Sequence, residues 1–177
     1  MNITGGFLKS RRIISPKGAN VRPTLSKTRE SMFNVLANLI DFKNSYFLDV
    51  FAGSGIMGFE AFSRGFSQVH FIEKDRKTFN LLKDNSKMLN ISAEFYFGDA
   101  LRVLKNIKKS YDAIYVDPPY FAGLYSDVIF LLNEQKLLKN NGVLILEHPE
   151  NLKIDTKCFK IIKQKKYSDK ILTFLSN

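Results

Sequence analysis

The chain has 177 residues, the length of one ordinary domain, of which 45% are hydrophobic and 25% charged. That balance excludes an intrinsically disordered chain, and no apolar run approaches the roughly 20 residues that a membrane span needs. The single cysteine, Cys158, excludes an internal disulfide bond, and no apolar signal segment follows Met1. We therefore expect a cytoplasmic, monomeric globular protein.

The net charge of +10 is concentrated at the two ends of the chain. Residues 1–30 carry seven basic side chains and one acid, and residues 151–177 carry seven lysines and two acids. A lysine-rich composition also explains the C-terminal lysines. The first segment, however, holds four of the seven arginines, and arginine favours forked contacts with phosphate. We predict that this segment binds a polyanion through four candidate residues, Arg11, Arg12, Arg22 and Arg29.

Strands and helices alternate along the chain after a short extension. Residues 1–25 contain paired glycines, prolines and short extended pieces, which predict a small β-hairpin extension beside a domain of residues 26–177. Hydrophobic periodicity predicts helices over 26–40, 57–64, 76–89, 101–107 and 126–138. Apolar runs predict strands over 46–50, 68–72, 94–97, 112–116 and 143–146, and a hairpin that pairs 159–162 with 171–174. The predicted fold is α/β and Rossmann-like, with a mainly parallel seven-stranded sheet that ends in the antiparallel hairpin.

Each of the first four predicted strands ends in an acid. These residues are Asp49, Glu73, Asp99 and Asp117. In an open α/β sheet, ligands bind in the crevice beyond the carboxyl ends of the strands. Four acids at that edge would repel one another without a ligand, so we predict a binding site there.

A glycine loop follows the first strand, and Gly53 to Gly58 spells G-x-G-x-x-G, a pattern typical of dinucleotide sites. The loop alone does not separate NAD from S-adenosylmethionine, because the ribose of either cofactor can hydrogen-bond a carboxylate such as Glu73. The Asp49 carboxylate would repel the negative charge of a pyrophosphate but would attract an ammonium and a sulfonium. Its position before the loop therefore favours S-adenosylmethionine. The predicted cofactor-binding residues are Asp49, Phe51, Ala52, Gly53, Ser54, Gly55, Glu73, Lys74, Asp99, Ala100 and Asp117.

The fourth strand ends in the most specific motif of the chain, Asp117-Pro118-Pro119-Tyr120. The motif resembles that of the class I amino-methyltransferases. The resemblance implies that the acid and the first proline's carbonyl accept hydrogen bonds from an NH2 group, while the aromatic ring stacks on its base. We predict Asp117, Pro118, Pro119 and Tyr120 as the catalytic residues, with Asp117 chiefly positioning the amine. We expect this chemistry to need no metal and no covalent nucleophile.

The ordered motifs of nearly the whole chain resemble those of the RsmD family, bacterial methyltransferases of guanine N2 in 16S ribosomal RNA. The motifs are Gly5-Gly6, Arg11-Arg12-Ile13, Arg22-Pro23-Thr24, residues 29–36, residues 49–55, Glu60-Ala61, Ser63-Arg64-Gly65 and residues 117–120. Met57 and Phe59 depart from the family pattern of smaller aliphatics. The resemblance implies a class I methyltransferase fold and S-adenosylmethionine as cofactor. It also implies 16S RNA, in the small subunit or its precursor, as the partner of the N-terminal arginines.

Three alternatives remain open. A DNA adenine-N6 methyltransferase shares the cofactor motifs, but such enzymes usually carry a target-recognition domain for which this chain has no room. A protein glutamine methyltransferase usually has Asn before Pro-Pro, where this chain has Asp117. A non-catalytic RNA-binding module would explain the charge but not the four strand-end acids.

Overall fold

The computed structural model describes residues 1–16, 24–119, 122–156 and 158–177, which form five helices and seven strands. The helices are α1 (Thr24–Leu36), α2 (Ile56–Ser63), α3 (Arg76–Leu89), α4 (Ala100–Leu104) and α5 (Ala122–Glu134). The strands are β1 (Tyr46–Asp49), β2 (Gln68–Glu73), β3 (Glu94–Phe97), β4 (Tyr111–Val116), β5 (Leu138–Pro149), β6 (Lys160–Tyr167) and β7 (Lys170–Ser176). No helix in these ranges combines the length and the apolar character that crossing a bilayer requires.

The strands form one sheet in the order β3-β2-β1-β4-β5-β7-β6. The first five are parallel, while β7 runs antiparallel between β5 and β6. The predicted Rossmann-like sheet with a C-terminal antiparallel hairpin is therefore confirmed. Strand order reverses between β1 and β4, and this is the point at which open α/β sheets bind their ligands.

Successive side chains of a strand point to opposite sides of the sheet, and helices cover both sides, so both faces of the sheet are buried. On β1, Phe47 packs in the cluster that holds Phe33 of α1, whereas Leu48 packs in the cluster that holds Val128 of α5. All four side chains are fully buried. The parallel sheet is thereby fixed between two helical layers, which leaves its carboxyl edge to form the site.

Several elements differ from their predicted bounds: α1 and α4 end earlier than expected, β6 and β7 extend further, and the boundary between α5 and β5 is shifted. Helix α5 ends at Glu134 rather than at residue 138. Lys136 has a left-handed backbone conformation with φ 50°, which a right-handed helix cannot contain. Strand β5 then begins at Leu138, five residues before the predicted start. The predicted N-terminal β-hairpin is reduced, in residues 1–16, to a single antiparallel bridge between Asn2 and Arg12.

The N-terminal segment is held to the domain by a buried polar network centred on Glu60 of α2, which is 0% exposed. The Glu60 carboxylate accepts hydrogen bonds from Thr4 N and Oγ1, both at 2.7 Å, from Arg29 Nε at 3.2 Å and from Arg64 Nε at 2.8 Å. Arg29 also donates to the Asn2 carbonyl at 2.7 Å and is only 3% exposed. The burial of Arg29 conflicts with its predicted place on an exposed RNA-binding surface, because its guanidinium joins α1 to α2 and to the N-terminal segment.

Candidate active site

Two adjoining cavities open at the carboxyl edge of the sheet, where the sequence predicted a site. The first has a volume of about 430 Å³, and the second, nearer α1 and β5, about 220 Å³. Glu73 and Asp99 line the first cavity, Asp49 lines the second, and Asp117 lines both. The fold thus brings the four strand-end acids to one edge.

The glycine loop forms the wall between the two cavities. Gly55 has φ 82°, and a Cβ on it would lie 2.3 Å from Leu82 Cδ1 and 2.5 Å from Phe59 Cε2. Only glycine fits there, because both the left-handed backbone and the close approach of α3 exclude a side chain. The Gly53 N–H donates to Glu73 Oε2 at 2.9 Å, which fastens the loop to the end of β2.

Asp49, at the end of β1, is the most deeply buried acid of the site, with an exposed fraction of 1%. None of the described residues donates a hydrogen bond to its Oδ2 atom. Burial is the main cause that raises the pKa of Asp49 to about 8; the nearby charges of Asp117 and Glu73 also raise it, and a hydrogen bond from the Gly58 N–H opposes them. A buried carboxylate oxygen without a donor, at the wall of a cavity, fits a cationic ligand group such as an ammonium.

Asp117 follows β4 and is 35% exposed, into the cleft that it lines. Burial raises its pKa to about 7, as does the charge of Glu147, whereas Lys170 lowers it from a distance of 3.5 Å. Pro118 and Pro119 line the first cavity beside it. Tyr120, the fourth predicted catalytic residue, lies outside the described residues.

The remaining predicted residues fall into three groups. Phe51, Ala52, Gly53, Ser54, Lys74, Asp99 and Ala100 line one or both cavities. The Asp99 carboxylate is also the N-cap of α4, where it accepts hydrogen bonds from Leu101 N at 3.0 Å and Arg102 N at 3.3 Å. Arg11 and Arg12 are exposed on the surface of the N-terminal segment. Arg22 lies outside the described residues.

Sequence reasoning missed several residues that line the cavities. They are Pro16, Thr28, Met32, Glu147 and Lys170, among others, whereas Arg29, which was predicted to bind RNA, lines the second cavity. Glu147 had a signal, since it follows the apolar run of the fifth strand as the other acids follow theirs. Lys170 had none, because antiparallel pairing opposite Pro149 brings it to the edge. The described parts of the chain contain no cluster of three or more histidine, cysteine or acidic residues suited to a metal ion.

The family model described as Conserved hypothetical protein 95 matches residues 1–176. A curated relative from Buchnera aphidicola, Ribosomal RNA small subunit methyltransferase D, is 38% identical over 175 residues, which is 98% of this chain and 91% of the relative. The chain belongs to the RsmD family of methyltransferases. A relative of the same name from Haemophilus influenzae is 35% identical over 152 residues, which is 83% of this chain and 78% of the relative. The solved structure of yhhF from Escherichia coli, described as a proposed methyltransferase, superposes with a TM-score of 0.87 at 26% identity, covering 99% of this chain and 96% of that one.

Replacing Asp49 with asparagine is expected to make the ligand-free protein more stable at pH 8. A raised pKa in the folded state means that folding favours the protonated acid, so this contribution to stability is lost as pH rises from about 4 to 8. Asparagine removes that loss, which we expect to be about 2 kcal/mol or more. Urea unfolding at pH 5 and pH 8 measures it, with Asp84→Asn at an exposed position as the control. Equal pH dependence in the Asp49→Asn protein and the wild type would contradict the expectation.

Proposed function

We propose that this RsmD-family protein transfers a methyl group from S-adenosylmethionine to the exocyclic N2 amine of a guanine in 16S ribosomal RNA, in the cytoplasm. The observation that carries the proposal is the position of Asp117, whose carboxylate borders both cavities. An amine held at that carboxylate lies beside any ligand that spans the two. The names of the relatives support ribosomal RNA of the small subunit as the target.

The residues at the edge of the sheet fit the proposed cofactor. The Asp49 Oδ2 atom, to which none of the described residues donates a hydrogen bond, suits the ammonium of the methionine part. Glu73 accepts backbone hydrogen bonds on both oxygens, from Gly53 N at 2.9 Å and Asp75 N at 2.8 Å, and each oxygen retains a second lone pair for a ribose hydroxyl. The first cavity, about 430 Å³, is of the size that small-molecule ligands occupy. When bound, S-adenosylmethionine supplies an electrophilic methyl group on a sulfonium.

The side chain of Asp117 can compensate for the weak nucleophilicity of the amine that is to be methylated. An exocyclic amine delocalises its lone pair into the base and is a poor nucleophile. A carboxylate that accepts one of its hydrogens holds the nitrogen in place and stabilises the positive charge that develops on it. The resemblance assigns the second hydrogen to the Pro118 carbonyl and base stacking to Tyr120.

The experiment that tests the proposal is methylation of small ribosomal subunits, and separately of naked 16S RNA, with labelled S-adenosylmethionine. Nucleoside analysis of the product is expected to give N2-methylguanosine. N6-methyladenosine would contradict the guanine assignment, and label found only in protein would contradict RNA as the substrate. Binding of NAD without binding of S-adenosylmethionine, measured by calorimetry, would reject the proposed chemistry altogether.

Replacing Arg11 and Arg12 together with glutamine is expected to weaken RNA binding and to flatten its salt dependence. Both side chains are exposed, and their segment reaches the second cavity through Met1 and the first through Pro16. Loss of two phosphate contacts should lower the magnitude of the slope of log K against log salt by about 1.4 to 1.8. Filter binding at several salt concentrations measures the slope.

The matched control is the double substitution of Lys105 and Lys108, which also removes two exposed charges. These lysines lie between the end of α4 and the start of β4, at the edge of the sheet opposite the site. An unchanged slope in the arginine variant, or an equal change in the lysine variant, would place the RNA contacts elsewhere.

A further inference from the structure

Lys170 connects two acids that stand at the ends of neighbouring parallel strands. It is the first residue of β7 and pairs with Pro149 of β5, so antiparallel pairing places it at the carboxyl edge of the sheet. Its Nζ lies 3.5 Å from Asp117 Oδ2, and it also donates a hydrogen bond to Glu147 Oε1. The Lys170 side chain is 22% exposed, and the residue lines the first cavity.

Glu147 is a fixed anchor for this ammonium. Its side chain is 4% exposed, and its Oε2 accepts a hydrogen bond from the Tyr115 hydroxyl at 2.6 Å. Its backbone carbonyl accepts another from the Tyr125 hydroxyl at 2.7 Å. Asp117, by contrast, stands at the end of its strand with a third of its side chain open to the cleft. Lys170 therefore joins a rigid carboxylate to one that faces the ligand.

We propose that Lys170 is a positioning residue for methyl transfer: anchored on Glu147, its ammonium orients the Asp117 carboxylate and keeps it ionised. The inference rests on the function proposed above and adds to it a residue of the C-terminal hairpin. Without this cation, Asp117 would be a like charge beside the buried Glu147, and one of the two would take up a proton more readily. A protonated Asp117 has one acceptor oxygen fewer for an amine hydrogen and gives less stabilisation to a cationic nitrogen.

The charged and titratable groups that face Asp117 come from five strands. They are Asp49 of β1, Tyr115 of β4, Glu147 of β5 and Lys170 of β7, together with Glu73 of β2, which lines the first cavity with Asp117. Arg29 of α1 lines the same second cavity. Lys170 is the one cation among them that lowers the pKa of Asp117, whereas Glu147 raises it. Neutralising Lys170 and neutralising Glu147 should therefore shift the titration of Asp117 in opposite directions.

The test is a pair of substitutions, Lys170→Met and Glu147→Gln, followed by two measurements. Carbon-detected NMR titration of the side-chain carboxyls, with the Asp117 signal assigned from Asp117→Asn, reports ionisation without any substrate. The pH profile of kcat/KM from pH 6 to 9 reports its effect on methyl transfer. Lys170→Met should raise both midpoints by about one pH unit, and Glu147→Gln should lower both.

The pH dependence separates this role from a merely structural one. Near pH 7, Lys170→Met should lose about fivefold in kcat/KM, and the loss should fade towards pH 9, where Asp117 is ionised in either protein. Lys170→Arg should recover most of the loss, and cofactor affinity should stay close to that of the wild type. A control, Lys166→Met, removes a lysine of the same hairpin that pairs with Glu150 instead. This control should keep the wild-type midpoints.

Two outcomes would overturn the inference. One is a Lys170→Met protein whose Asp117 titrates as in the wild type and whose activity falls by the same factor at every pH. The other is a Lys166→Met protein that shifts as far as Lys170→Met, because the effect would then be one of general charge. Absence of guanine methylation by the wild-type protein would refute the proposed function instead, and the NMR titration would still decide the role of Lys170 in ionising Asp117.

Discussion

Replacing Asp117 with alanine is expected to lower the turnover of methyl transfer by about 10²-fold or more while cofactor still binds. This is the scale of one lost contact that stabilises charge in a transition state. The carboxylate borders both cavities, and its loss leaves the amine without a charged acceptor. The loss should appear in kcat rather than in cofactor affinity, because Asp49 and Glu73 remain in place.

Single-turnover methylation of small subunits at saturating cofactor measures the effect, and calorimetry measures the binding. Asp117→Asn keeps an acceptor oxygen without the charge and should fall between the wild type and the alanine variant. The matched control is Asp127→Ala, which removes an exposed acid from α5. Turnover like that of the wild type in Asp117→Ala would show that the carboxylate has no part in the reaction.

Replacing Glu60 with alanine is expected to lower the free energy of unfolding by about 3–5 kcal/mol. The carboxylate is fully buried and compensates Arg29, which is 3% exposed, and Arg64, which is 14% exposed. Its removal leaves two guanidinium groups close together without an anion, and the Thr4 N–H without its acceptor. Since the total free energy of unfolding of a globular domain is about 5–15 kcal/mol, this loss would be a large fraction of the stability of the protein.

Urea unfolding followed by circular dichroism measures this loss. Glu60→Gln keeps the acceptor oxygen and the shape, so it should lose less than alanine does. Glu134→Ala, at an exposed position at the end of α5, is the control and should change the free energy by less than about 0.5 kcal/mol. A loss below about 1 kcal/mol in Glu60→Ala would mean that the network does not fasten the N-terminal segment to the domain.

Elements with local signals at both ends were predicted most accurately. Helix α3 spans Arg76–Leu89 as expected, because Asp75 caps its first turn through a hydrogen bond from Thr78 N and Asn90 ends it in a left-handed conformation with φ 55°. The four strand-end acids were predictable in the same way. Parallel strands share one carboxyl edge, so the place of each acid along its own strand was enough to bring them together.

Features that depend on contacts between distant residues were not predictable. Arg29 was taken for a phosphate ligand because its charge was visible in the sequence, whereas its pairing with Glu60, 31 positions away, was not. Lys170 reaches the site through the register of β7 on β5, which no local pattern encodes. The division of the chain at residue 25 stays a prediction, although Ile3 and Ile13 of the N-terminal segment are buried in the main core cluster.

The isolation of Asp49 has a consequence for evolution and engineering. A side chain that weakens the ligand-free fold above pH 4 is also the one suited to the ammonium of the proposed cofactor. Screening for heat tolerance alone would favour asparagine at this position and would remove the carboxylate that we propose binds the cofactor. If Asp49 binds the cofactor, selection for function keeps a carboxylate that lowers the stability of the ligand-free protein. The stability of the protein in the cell would then depend on the concentration of its ligand.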